Sequence, residues 1–127
     1  MFHHTIDVPL SLEEVIPKLG ESLKNEQFGV LWQFDIKDKL QEKGVDFNKK
    51  FVVLEVCNPK EAKRVLEEEI LSGYFLPCKI VVYEENGQTK IGLPKPTALI
   101  SMLENAQLKE FAADIEKRLI NCIDSVH

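Results

Sequence analysis

The chain of 127 residues has no long apolar run, little aromatic content (8%), only three cysteines, and no surplus of basic residues. Each shortage excludes something. No stretch approaches the roughly eighteen consecutive apolar residues that read as a membrane span, so no membrane partner is expected. Sixteen Lys plus Arg stand against twenty-one Asp plus Glu, a formal charge of −5. A phosphate-tracking surface needs clustered cations, so no nucleic-acid partner is expected. The densest basic runs, Lys49-Lys50 and Lys37 with Lys39, have acids nearby and read as a solvated face. The segment Met1 to Asp7 lacks a basic region followed by an apolar run, and no signal peptide is expected. Three cysteines is an odd number, with no Cys-x-x-Cys and no zinc-ligand spacing. They read as reduced thiols of a cytoplasmic protein.

The catalytic signatures are missing too. There is no Gly-x-Ser-x-Gly, no phosphate-binding loop and no dinucleotide fingerprint. The acid pairs Glu13-Glu14, Glu67-Glu68-Glu69 and Glu84-Glu85 read as solvated faces, not as carboxylates set against each other in a dry pocket. His3 and His4 are strand neighbours that point to opposite faces, and His127 is terminal, so no metal site is expected from them. No catalytic residue is assigned, and the balance leans away from an enzyme.

What is present is 44% apolar and 29% charged sequence, close to an ordinary globular domain. With no repeats and no linker, residues 1–127 read as a single domain with one core. Phe2 to Val8 alternates as a strand. Ser11 with Glu14 forms a capping box for a helix whose stripe is Leu12, Val15, Ile16, Leu19 and Leu23. Pro17 breaks that pattern, which predicts a kinked or delayed helix start. Val30, Trp32 and Phe34 predict a strand buried mainly on one side. Asp35 caps a short helix that Gly44 stops. Phe51 to Val56 is a continuous β-branched and aromatic strand. Asn58 as N-cap, Pro59 at the first helical position and Glu61 then open a helix over 59–71.

Cys78 to Tyr83 and Thr89 to Leu93 flank Asn86-Gly87, a strong hairpin signal. A short helical turn over 97–103 precedes a last helix, capped by Asn105 and striped by Leu108, Phe111, Ala112, Ile115, Leu119, Cys122, Ile123 and Val126. The expected fold is α+β: a mostly antiparallel sheet of about five strands with helices on one face.

Cys57 is the most chemically interesting side chain, at a strand end just before a capped helix. Two readings stand. A thiol near helix N-terminal amides, with Lys60 and Lys63 close in sequence, can lose its proton early and act as a nucleophile. Alternatively it is a small apolar plug, and Glu55, two residues back, would oppose thiolate formation. If strands 51–56 and 78–83 pair, two readings stand again: Cys78 lies within reach of Cys57 to resolve a disulfide or share a soft metal or sulfur species, or, the reading preferred here, the two are separate half-buried thiols. Trp32 with Phe34, and the run Tyr74-Phe75-Leu76-Pro77, are more apolar than one core face needs; plain core is the first reading of both, and the other is that such surplus closes a pocket or a subunit interface.

The string Val53 to Pro59 with Ala62, then Leu76-Pro77-Cys78 and Ile80 to Glu84, resembles the domain of unknown function 302 family. Gly29-Val30-Leu31, Asp35-Ile36, Leu40 and Gly44 match upstream, and strand 89–93, Pro96 and the terminal helix match downstream. The resemblance implies a small α+β fold with a curved antiparallel sheet of TATA-binding-protein-like topology, and a homodimer. It brings no settled activity or cofactor. It draws attention to Cys57, Asn58, Pro59, Pro77 and Cys78. Two functions follow: a non-catalytic small-ligand-binding or accessory domain, or a thiol, sulfur-handling or soft-metal protein using Cys57 with Cys78.

Overall fold

The computed structural model describes residues 1–127. Five strands form one antiparallel sheet: β1 (His3–Val8), β2 (Gly29–Asp35), β3 (Phe51–Cys57), β4 (Cys78–Glu85) and β5 (Gln88–Pro94), in the spatial order β1-β5-β4-β3-β2. Between them run α1 (Leu12–Asn25), α2 (Ile36–Glu42) and α3 (Pro59–Glu68), and after β5 come α4 (Pro96–Ile100) and α5 (Ala106–Asp124). The α+β expectation is met.

One face of the sheet makes the core. Val52, Leu54 and Val56 of β3 alternate inward with Ile80 and Val82 of β4 and Ile91 and Leu93 of β5. The stripes of α1 (Leu12, Val15, Leu19, Leu23) and α5 (Leu108, Ala112, Ile115, Leu119, Ile123) complete a single cluster of 22 buried apolar residues. Arg118 of α5 ties the layer together. Its Nη1 donates to Glu61 of α3 at 2.8 Å and its Nη2 donates to the Glu26 carbonyl at 2.9 Å.

The local signals behave as their chemistry predicts. Ser11 and Glu14 form the reciprocal capping box. Asp35, Asn58 and Asn105 each accept backbone amides at a helix start. Asn86 and Gly87 turn the β4–β5 hairpin with φ of 54° and 76°, the left-handed pair such a turn requires.

Three expectations need correction. Pro17 lies inside α1 and does not delay it, because the capping box fixes the start at Leu12. The helix after Pro59 ends at Glu68. Glu69 then turns extended, and its carboxylate accepts the Leu71 amide, restarting the chain as a 3₁₀ turn over Ile70–Phe75. The strand holding Trp32 and Phe34 is not mainly buried. β2 is an edge strand with a register shift between Val30 and Trp32, and Val30, Leu31 and Trp32 are all exposed.

Candidate functional site

The β4–β5 ladder runs from Glu85/Gln88 to Val81/Gly92 and stops there. Beyond that pair the strands part. β5 continues on β1, where His4 faces Leu93 and His3 faces Pro94. The start of β4 continues on β3, where Lys79 faces Glu55 and Cys78 faces Val56. Gly92 marks the branch point, and it has no room for a side chain. A Cβ there would lie 2.7 Å from Thr5 Oγ1 of β1.

A cavity of about 370 Å³ fills the fork. Cys78 and Lys79 line it from β4, and Leu93 and Pro94 from β5. Pro96, Leu99 and Ile100 of α4 form a second wall, and Val65, Ala112 and Ile115 form the floor from α3 and α5. The 3₁₀ turn closes the remaining side with Ser72, Tyr74 and Phe75, followed by Leu76 and Pro77, which are joined by a cis peptide. The run Tyr74-Phe75-Leu76-Pro77 therefore does line a pocket. The α4 wall is held from outside its own sequence. Lys95 offers no side-chain cap, and Glu116 of α5 takes that place by accepting both the amide (3.1 Å) and the hydroxyl (2.6 Å) of Thr97.

The polar groups of the cavity are few. Ser72 is 1% exposed, and its Oγ has no hydrogen-bond partner in the protein. A buried hydroxyl left unpaired costs free energy, about 1–3 kcal/mol, so native chains rarely keep one without a use. Glu55 and Lys79 are the only charged residues of the lining. Lys79 and Tyr74 are exposed, which puts the rim on their side.

Four of the five residues singled out from sequence fall into two groups, and Pro59 lines neither cavity. Pro77 and Cys78 line the large cavity. Cys57 and Asn58 border a much smaller one of about 20 Å³, which Cys78 also touches. Strands β3 and β4 do pair as anticipated, and Val56, not Cys57, is the partner of Cys78. Successive strand residues point to opposite faces, so the register sets the two thiols one step out of line. All three cysteines are free thiols.

Of the two readings of Cys57, two observations favour the apolar plug over the thiolate. The first amides of α3 are already taken: Asn58 Oδ1 accepts from Lys60 N at 3.0 Å and Glu61 N at 3.2 Å. Burial then pushes the Cys57 thiol up instead of down. Cys78 is pushed up to about 11, by burial first and by the neighbouring Cys57 second. Both shifts favour the protonated thiol over a nucleophilic thiolate. Asn58, buried at 5% exposure, and Pro59 at the first helical position serve the cap of α3. No group of three His, Cys, Asp or Glu side chains converges as metal ligands. His3 Nδ1 lies 2.9 Å from Thr5 Oγ1, and His4 Nε2 lies 2.8 Å from Asp124 Oδ1.

The family model described as "Domain of unknown function DUF302" matches residues 4–126. The chain belongs to the DUF302 family. A crystal structure of a conserved DUF302 protein from Bacillus stearothermophilus is 62% identical, covering 100% of this chain and 99% of that one, with a TM-score of 0.97. No protein of curated function matches the chain. Ser72 is a cavity-lining residue that sequence reasoning missed. Its signal was a single polar side chain set between Ile70-Leu71 and Tyr74-Phe75, in a run otherwise apolar except for Gly73.

Proposed function

We propose that this DUF302 protein is a cytoplasmic, homodimeric, non-catalytic domain that binds a small molecule in the β4–β5 fork. The observation that carries the reading is the cavity of about 370 Å³, lined mainly by apolar side chains from β4, β5, α3, α4, α5 and the 3₁₀ turn. The volume lies at the lower end of the range for small-molecule sites, and a mostly apolar lining with few polar groups is their usual chemistry. Nothing in the lining supplies a nucleophile with its base: Cys78 is held protonated, and no histidine lines the cavity.

The homodimer reading draws on the other face of the sheet. Trp32 stacks on Phe34 at 5.1 Å, and Phe51 stacks on Tyr83 at 5.0 Å. The strand registers set these four on one face with Val53 and Val81. Leu31 and Trp32 are 64% and 51% exposed. An open aromatic sheet face of this kind favours a self-complementary partner. Glu55 and Lys79, which line the cavity, share a cross-strand row with Trp32, so a second copy there would approach the cavity rim.

The test is thermal unfolding with a panel of small apolar molecules, in wild type and in Leu99→Trp, which fills the cavity from α4. A bound compound raises the wild-type midpoint through mass action and leaves the filled variant unmoved. No shift in wild type, or the same shift in both, would refute the site.

A further inference from the structure

We propose that the fork takes a zwitterion with a bulky apolar side chain, an α-amino acid of the leucine or phenylalanine kind. Its side chain enters the cavity, its ammonium group pairs with Glu55 and its carboxylate pairs with Lys79. This rests on the reading of the cavity as a binding site and adds the class of molecule that the site selects.

Glu55 is at odds with its strand. It is the one charge in β3, an interior strand that is otherwise apolar from Phe51 to Cys57, and strands of that kind disfavour glutamate. It is half-buried, so part of its hydration is lost and a counter-charge is favoured. A cation stands directly opposite: Lys79 of β4 is its cross-strand partner. Opposite charges so placed attract each other. Yet neither side chain forms a salt bridge, with the other or with any other residue. Two unpaired charges of opposite sign therefore stand side by side, and both line the same cavity.

Their place in the sheet makes them a headgroup site. Leu54, Val56 and Ile80 are buried on the core face, so alternation puts Glu55 and Lys79 on the other face. The lining thus draws on both faces: Leu93 and Ile100 from the core, Glu55 and Lys79 from the outside. The parting of β4 from β5 opens the cavity at the outer face, where the charges are, and leaves its inner part apolar. A lone carboxylate at this mouth would be attracted by Lys79 and repelled by Glu55, and a lone ammonium would meet the reverse. A neutral molecule would use neither charge. A zwitterion answers both. An α-amino acid carries its two charges on one carbon, a spacing that suits two adjacent cross-strand side chains. Its apolar side chain then gains from burial in the cavity.

The experiment titrates the full chain at pH 7 with L-phenylalanine, its anionic analogue N-acetyl-L-phenylalanine, its cationic analogue L-phenylalaninol, and glycine. Affinity is read by ligand-observed NMR in wild type, Glu55→Gln, Lys79→Gln and Leu99→Trp, each first shown by its unfolding transition to be folded. L-phenylalanine should bind at least about fivefold more tightly than either analogue, the upper end for one solvent-accessible ion pair. Glycine, with the same charges and no side chain, should not bind. Glu55→Gln should weaken L-phenylalanine and L-phenylalaninol and spare the acetylated anion. Lys79→Gln should weaken L-phenylalanine and the acetylated anion and spare L-phenylalaninol. Leu99→Trp should abolish binding of all three. Either analogue matching L-phenylalanine, or L-phenylalanine undiminished in either Gln variant, overturns the charge recognition and leaves the cavity standing. L-phenylalanine undiminished in Leu99→Trp overturns its seat in the cavity. No binding of L-phenylalanine overturns the amino-acid class, while the panel of apolar molecules decides the cavity separately.

Discussion

Thr97 of α4 donates both its amide and its hydroxyl to a single oxygen, Oε1 of Glu116 on α5. A five-residue helix without its own cap has little stability alone, so this contact fixes the wall that carries Leu99 and Ile100. Glu116→Ala leaves the Thr97 amide and hydroxyl without their acceptor. The expected cost is about 1–3 kcal/mol, measured by urea unfolding. Hydrogen exchange at Thr97 to Ile100 should accelerate more than exchange in the core of α5. Uniform acceleration along both helices would show that α4 does not depend on Glu116.

Asn58 anchors α3 at the end of β3. Its side chain accepts two amides while buried, so Asn58→Ala should cost about 1–2 kcal/mol, and Asn58→Asp should recover most of it. Recovery by Asp is the informative arm. It separates loss of the cap from loss of packing volume, because Asp restores the acceptor with nearly the same size.

The thiols carry a pH signature. The folded value for Cys78 is raised, from 9.0 to about 11, and burial raises Cys57 and Cys122 in the same direction. A raised folded value means that the unfolded chain releases the proton first. The stability that Cys78 contributes is therefore complete below pH 9 and is lost as pH climbs toward 11, by an amount on the order of 2 kcal/mol. Cys78→Ala should flatten that part of the stability curve. The same directions predict that iodoacetamide modifies Cys57 and Cys78 at pH 8 more slowly than it modifies a free thiol. Rapid labelling of Cys57 at pH 6.5 would restore the nucleophile reading.

Trp32→Ser tests the open sheet face. Trp32 lies on an edge strand and is half exposed, so the substitution should cost the isolated fold little. If the face joins two copies, light scattering should show a dimer in wild type and a shift toward monomer in the variant. A wild-type monomer at high concentration would rule the proposed dimer out.

How far the sequence speaks for this molecule depends on how local each cause is. The caps at Ser11, Asp35, Asn58 and Asn105 are decided within three residues, and so is the Asn86-Gly87 turn; all were legible. The run Phe51–Val56 is a strand in any context its composition allows. Trp32 misled because apolar alternation marks a strand without saying whether its neighbour is a helix or solvent. Cys57 stayed open between two readings because the sequence does not say whether the first amides of α3 are free, and the side chain of the very next residue, Asn58, accepts them. The parting of the two strands had no local sign. The fork arises because β4 follows β3 while β5 follows β1 beyond Val81/Gly92, and its lining comes from segments spread from residue 55 to residue 115. Tyr74 to Pro77 hinted at a pocket through surplus apolarity, but a single serine in a 3₁₀ turn becomes informative only once its burial and lack of a partner are known.

The central claim is that the β4–β5 fork admits a small molecule, and amide chemical-shift mapping of the labelled protein with 1-octanol tests it most directly. The account predicts dose-dependent shifts concentrated at Ser72, Cys78, Leu93 and Leu99, with β2 unmoved. Shifts confined to Leu31, Trp32 and Phe34 on the open sheet face, or no shifts at saturating probe, would contradict it.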